Sequence, residues 1–155
     1  MRRNPLYCYL TSLSAALLVV SCSALGPVEI QYGQDQCDYC KMTIADKRFG
    51  SELVTDKGKV FKFDSIECLA AFHSSGHTGT EGATSLWVTN FTQPGVFLRV
   101  DHAVIIATMR EKSPMGVGLV AVGTTEQARQ TIQTVGGNVL TWEEVQRMVA
   151  NKWHL

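Results

Sequence analysis

The feature that most constrains the fold is a weak internal repeat. Gly58-Lys-Val-Phe-Lys-Phe-Asp-Ser-Ile-Glu-Cys-Leu-Ala70 aligns with Gly137-Asn-Val-Leu-Thr-Trp-Glu-Glu-Val-Gln-Arg-Met-Val149. The apolar positions superpose: Val60 on Val139, Phe61 on Leu140, Phe63 on Trp142, Ile66 on Val145 and Leu69 on Met148. Each unit reads as a glycine turn, a short strand, an acidic helix start and an amphipathic helix. Two such units bury strand faces against helix faces. The predicted class is therefore α+β, with mainly antiparallel strands, about three short helices and two weakly repeated halves.

The punctuation between elements supports this reading. Asp64 with Glu67 three residues on predicts a helix start, with Ile66, Leu69, Ala70 and His73 on one face and Gly76 as the stop. Thr124 with Gln127 opens a second helix, carrying Ala128, Ile132 and Val135 inward and ending at Gly136-Gly137. Thr141 with Glu144 opens the last, with Val145, Met148 and Val149 inward and Trp153 extending the stripe. Residues 51–55 and 60–63 flank Asp56-Lys57-Gly58, a hairpin signal. Residues 86–91, 96–100, 104–108 and 117–122 are short, rich in β-branched side chains and bounded by turn residues, so they read as strands. Residues 74–85, rich in Gly, Ser and Thr, form a loop between the halves.

The first residues read as an address. Arg2 and Arg3 precede a mostly apolar run over 6–20 that is too short to span a bilayer comfortably. The small residues before Cys22 resemble the lipobox of bacterial lipoproteins, which implies cleavage after residue 21 and lipid attachment to Cys22. The expected layout is a signal peptide at 1–21, a lipidated tether at 22–35 and a globular region at 36–155, with halves at about 36–80 and 86–155. Lys+Arg is 14 and Asp+Glu is 14. With no excess of positive charge, the chain is a poor candidate for gripping nucleic acid. After processing, Cys37, Cys40 and Cys68 remain, and an odd number of cysteines fits poorly with a disulfide framework.

Chemistry concentrates in Asp35-Gln-Cys37-Asp-Tyr-Cys40-Lys-Met42-Thr-Ile44. Two thiols three apart, with a thioether two further on, can converge on one ion. Soft thiolate and thioether donors select Cu(I), whereas Zn²⁺ takes thiolates without needing a thioether. A thioredoxin-like pair would sit between a strand and a helix, but this segment follows polar residues. Haem attachment would need His at position 41, which is Lys. A Cys37–Cys40 disulfide remains open. Met115, set between Pro114 and Gly116 on a turn, is a second candidate thioether. Met109 in a strand-like run, Met148 on a helix stripe and Cys68 on its helix read as core. His73, on the core face of its helix, reads as a satisfied buried imidazole. His77, His102 and His154 offer no ligand pattern.

Taken together, these motifs resemble the NosL family, lipoprotein copper chaperones for assembly of nitrous oxide reductase. The matching residues are Cys22, Asp35-x-Cys37-x-x-Cys40-x-Met42-x-Ile44 and Ser113-Pro114-Met115-Gly116, where the family tends to have Thr-Pro-Met-Gly. The family often has two acidic residues where this chain has Asp64-Ser65, so that position carries no chemical expectation. The resemblance implies two small related ββα-type halves, with Cys37, Cys40, Met42 and Met115 as the metal group and Cu(I) as cargo; zinc stays open as a second metal. It also implies nitrous oxide reductase and its membrane maturation complex as partners on the periplasmic side, and Ser23 beside the lipidated Cys22 resembles the sorting signal for the outer membrane. No base, nucleophile or activated water stands out, which suits a carrier rather than an enzyme. The competing readings are a thiol-disulfide oxidoreductase using Cys37 and Cys40, and a structural zinc module.

Overall fold

The computed structural model describes residues 25–76 and 83–155. The expected signal peptide, the expected lipidation site at Cys22 and His77 lie outside the described residues. Among the described residues, seven strands and three helices follow in the order β1 (Ser51–Thr55), β2 (Val60–Phe63), α1 (Ile66–Ser74), β3 (Ala83–Thr89), β4 (Phe97–Arg99), β5 (Val104–Ala107), β6 (Leu119–Val122), α2 (Thr125–Val135), β7 (Asn138–Leu140) and α3 (Trp142–Trp153). A single 3-10 turn, Val100–His102, joins β4 to β5.

The strands make two sheets, ordered β2-β1-β3-β4 and β6-β5-β7, and every pairing within them is antiparallel. The α+β expectation holds, as does the hairpin over 51–63. The two halves are also present, but the equivalence runs differently from the sequence alignment. β1-β2-α1-β3 and β5-β6-α2-β7 share one topology, each with its first strand in the middle. By register, Leu53 faces Phe61 as Ile106 faces Val120. The β2–α1 junction therefore corresponds to the β6–α2 junction, and Ser65 to Thr124. The Gly58 and Gly137 segments matched because both contain a strand followed by a helix. α3 is an addition to the second half, and it packs against α1 of the first.

The two-sided burial of the second sheet follows from strand alternation. Leu119 and Ala121 of β6 face the larger core, with Ile105, Leu69, Val145 and Val149. Val120 and Val122 face a smaller one, with Phe49, Ile106 and Ala128 of α2. α1 is buried over Ile66–Phe72 because sheet and α3 cover opposite sides of it, so its expected single apolar face is instead a nearly complete cylinder. Each helix starts on a hydroxyl cap. Thr124 accepts from Gln127 N, and Thr141 forms a complete capping box with Glu144.

Two further expectations need correction. Met109 is 99% exposed, because β5 ends at Ala107 and the chain turns before the methionine could join the sheet. The segment before residue 36 is only partly a tether. Ile30 is 3% exposed, and the Val28 N–H donates to Glu52 Oε2 at 2.9 Å. Gly50 permits this docking, since a Cβ there would meet Ile30 Cδ1 and Tyr32 Oη at 2.8 Å. A polar stretch with one well-placed isoleucine can dock where a groove exists, and local composition does not report the groove.

Candidate metal centre

The Cys-x-x-Cys segment is a tight reversal. Gln36 bridges Thr43, and the Cys37 N–H donates to Met42 O at 2.8 Å. Within it, the Lys41 N–H donates to Cys37 O at 3.0 Å, and Lys41 takes a left-handed backbone (φ 65°) to close the loop. That conformation is uncommon for a side-chain-bearing residue. Asp38 then pins the loop to the free edge of β2. Its N–H donates to Lys62 O, and its Oδ2 accepts from Lys62 N, both at 2.8 Å. Asp35 adds an ion pair to Lys62 Nζ at 2.6 Å, and fully buried Ile44 anchors the exit. Tyr39, between the cysteines, stacks on Trp153 of α3 with ring centroids 5.8 Å apart.

The second contribution comes from the β2–α1 turn. Asp64 is not the helix cap. Ser65 is, its Oγ accepting from Cys68 N at 3.4 Å, while Ser51 Oγ donates to Ser65 O at 2.8 Å. The Asp64 carboxyl is thereby released toward the cysteines, where Oδ2 accepts from Cys40 Sγ at 3.4 Å and Oδ1 has no partner. The cap also holds the first turn of α1 so that Cys68 faces the loop. Cys37, Cys40, Asp64 and Cys68 offer four donor atoms within 4.8 Å of one another, and all three cysteines are free thiols. Cys37 and Cys68 are completely buried, and Cys40 is half-buried.

Sequence reasoning placed Cys37 and Cys40 here and missed Cys68 and Asp64. Cys68 looked like core because it lies on a helix of apolar residues. The available signal was its place three residues after a hydroxyl cap, in the first helical turn after a strand. Of the two methionines, Met42 leaves the loop 52% exposed. Met115 is half-buried and packs against the core that contains Cys37 and Cys68. The three described histidines are elsewhere: His73 Nδ1 lies 3.3 Å from Gln146 Nε2, His102 is in the 3-10 turn and His154 caps α3.

The three sulfurs differ in charge. A hydrogen bond from Cys68 holds the Cys37 thiol down to about 6, against the opposing effect of burial. Cys68 is pushed up, first by giving that hydrogen bond and then by burial. Burial is also the main cause that pushes Cys40 up, to about 11. Near neutral pH the cluster thus holds one thiolate sheltered by two thiols. A cation binding all three sulfurs must displace protons from Cys40 and Cys68. Three sulfurs with one carboxylate oxygen make a predominantly soft donor set, suited to a thiophilic ion.

A profile of the NosL family matches residues 27–150. The chain belongs to the NosL family. No curated protein matches it significantly. Among solved structures, it is similar to the crystal structure of the copper chaperone NosL from Shewanella denitrificans, at 19% identity and a TM-score of 0.65. The alignment covers 76% of this chain and 94% of that one. At this identity the likeness speaks for the NosL fold, with its two antiparallel sheets and three helices. Among the described residues, no helix is long and apolar enough to cross a membrane.

Proposed function

We propose that this NosL-family chain carries Cu(I) and delivers it for the maturation of nitrous oxide reductase, acting as a carrier and not as an enzyme. The observation that carries the reading is the convergence of three cysteine sulfurs within 4.8 Å, two of them buried and the third at the rim. Thiolates favour Cu(I) over harder ions. Met42 at the exposed end of the loop supplies a thioether by which the ion enters or leaves, and Met115 supplies a second from the other half. A carrier must release its cargo, and a half-buried Cys40 beside an exposed thioether leaves one side of the site open to a recipient. Asp64 gives the set an oxygen donor, which keeps zinc as a candidate second metal.

The thiol oxidoreductase alternative is the weaker one. Thiol–disulfide exchange needs an accessible attacking thiolate. Here the sulfur with the lowered pKa, Cys37, has no exposed surface, while exposed-side Cys40 is pushed up to about 11. The proposed setting is a lipid anchor at Cys22 on the periplasmic side of the outer membrane, with the reductase and its membrane maturation complex as partners. Competition against a Cu(I) chelator under reducing conditions tests the cargo, and retention by the protein is expected. Failure to draw copper from the chelator ends the carrier reading. Met42→Leu nearly conserves volume and should cost under about 1.5 kcal/mol of stability, yet it is expected to weaken Cu(I) binding. Cys22→Ala should release the protein from membranes.

A further inference from the structure

Glu67 is completely buried, and its position in the fold explains neither the helix cap nor the cysteine cluster. Its topological counterpart in the second half, Glu126, is exposed and pairs with Arg129 on the surface of α2. Burying a carboxylate is costly unless it is used. Glu67 Oε1 accepts from Ser113 Oγ, a residue 46 positions away that is itself 4% exposed. Ser113 Oγ in turn accepts from Gly118 N at 2.9 Å, and the Gly116 N–H donates to Ser113 O at 2.9 Å. The turn 113–118, with Met115 at its centre, therefore closes on one hydroxyl whose proton is given to α1. Gly118 is needed for the closure, since a Cβ there would lie 2.0 Å from Thr108 O.

A second tie reaches the same turn from the other side. Lys152 Nζ donates to Gly116 O at 3.3 Å. Lys152 adjoins Trp153, which stacks on Tyr39 between the two loop cysteines. Glu67 adjoins Cys68. Glu67 thus ties the turn to the residue beside a cluster thiol, across the two halves, while Lys152 ties it within the second half, next to the tryptophan that packs on the cysteine loop.

We propose that Glu67 and Ser113 form a clasp that positions Met115 against the thiol site, with Lys152 as a weaker second tie, so that the thioether is delivered by a fixed turn rather than a flexible one. This inference rests on the Cu(I)-carrier reading. In it Glu67, Ser113 and Lys152 are positioning residues that act through Met115 and do not touch the ion. The clasp joins the halves, so copper held jointly by thiols from one half and a thioether from the other senses their alignment.

The test is a double-mutant cycle on the purified protein, read by Cu(I)-chelator competition and by X-ray absorption at the copper edge. Ser113→Ala should weaken Cu(I) binding about tenfold, and Met115→Leu should weaken it by a similar factor. Each should remove one sulfur from the copper shell. Ser113→Thr, which keeps the hydroxyl, should restore both readouts. The combined Ser113→Ala, Met115→Leu variant should bind no more weakly than Met115→Leu alone. Should Ser113→Ala fail to fold, Lys152→Leu at the exposed end of α3 replaces it in the cycle, with a smaller loss of about twofold that again disappears in the Met115→Leu background. Equal losses with and without Met115 overturn the clasp. Unchanged binding and sulfur count in Met115→Leu also overturn it, while leaving a carrier built on the thiols. An unaltered protein that binds no Cu(I) removes the carrier reading and the clasp together.

Discussion

The β2–α1 and β6–α2 junctions have the same construction and opposite chemistry. Each follows a strand with a hydroxyl cap, Ser65 in one and Thr124 in the other, accepting from the residue three further on. Each strand has its outer edge covered by an earlier segment. Asp38 N–H donates to Lys62 O in the first half, and Phe91 N–H donates to Ala121 O in the second. Strand register makes Lys62 and Ala121 equivalent. At the first junction the covering segment brings two cysteines, the turn brings Asp64, and the helix brings Cys68. At the second the places of Cys37, Asp64 and Cys68 hold Asn90, Gly123 and Gln127, and the Gln127 amide oxygen accepts from Gly123 N at 2.9 Å. The scaffold can thus present four donors to one point, and whether it binds a metal depends on which side chains occupy those places.

The difference extends to the central strands. Glu52 of β1 is fully buried where the register places Ile105 in β5. Burial pushes the Glu52 carboxyl up to about 7, with the Val28 N–H opposing in part. One half thus carries an ionisable group in its sheet where the other carries hydrocarbon.

The largest expected effect separates the two junctions directly. Cys68→Ser should weaken Cu(I) binding beyond the roughly 10–100-fold typical of losing an outer-shell partner, whereas Gln127→Ala at the matching place should leave it unchanged. Chelator competition on both variants measures this. Equal effects would mean that Cys68 is core packing and that the equivalence has no chemical meaning.

The next effect concerns Glu52 against Ile105. A folded-state pKa above the unfolded value favours the protonated form. The stability linked to it is complete below about pH 4.5 and lost as pH rises through about 7. Glu52→Gln, which keeps an acceptor for Val28, should therefore raise thermal stability at pH 8, by at most about 3 kcal/mol. The gain should disappear near pH 4.5. Thermal melts of both proteins across this range test the sign, and a gain that grows on acidification would refute it.

Removing the caps gives a smaller, paired effect. Ser65→Ala and Thr124→Ala should each cost about 1 kcal/mol in chemical denaturation. Only Ser65→Ala should also weaken Cu(I) binding, because it frees the helical turn that holds Cys68. If both or neither affect copper, the cap does not position the thiol.

The smallest expected effect is at Met109. Its thioether is nearly fully exposed, so Met109→Ser should change stability by less than about 0.5 kcal/mol and leave copper binding as it was. Any clear loss of copper would bring a further sulfur into the site.

The sequence by itself determined what short-range chemistry controls. The hairpin over 51–63, the caps at Thr124 and Thr141, the stop at Gly136 and the convergence of Cys37 with Cys40 all depend on residues within a few positions of one another. Their hydrogen bonds form almost regardless of what lies beyond them. The tertiary structure decided what depends on distant partners. Cys68 joins the site only because Ser65 takes the cap and β2 accepts the Asp38 pair, and the same choice frees Asp64. Ile30 docks only because Gly50 leaves room. Met109 is exposed because β5 ends two residues earlier. The repeat could be sensed as an alternation of strand and helix, but its true register depends on which strands pair. Pairing is a contest among long-range alternatives that similar strand–helix segments leave nearly balanced along the chain, and packing of the whole core resolves it.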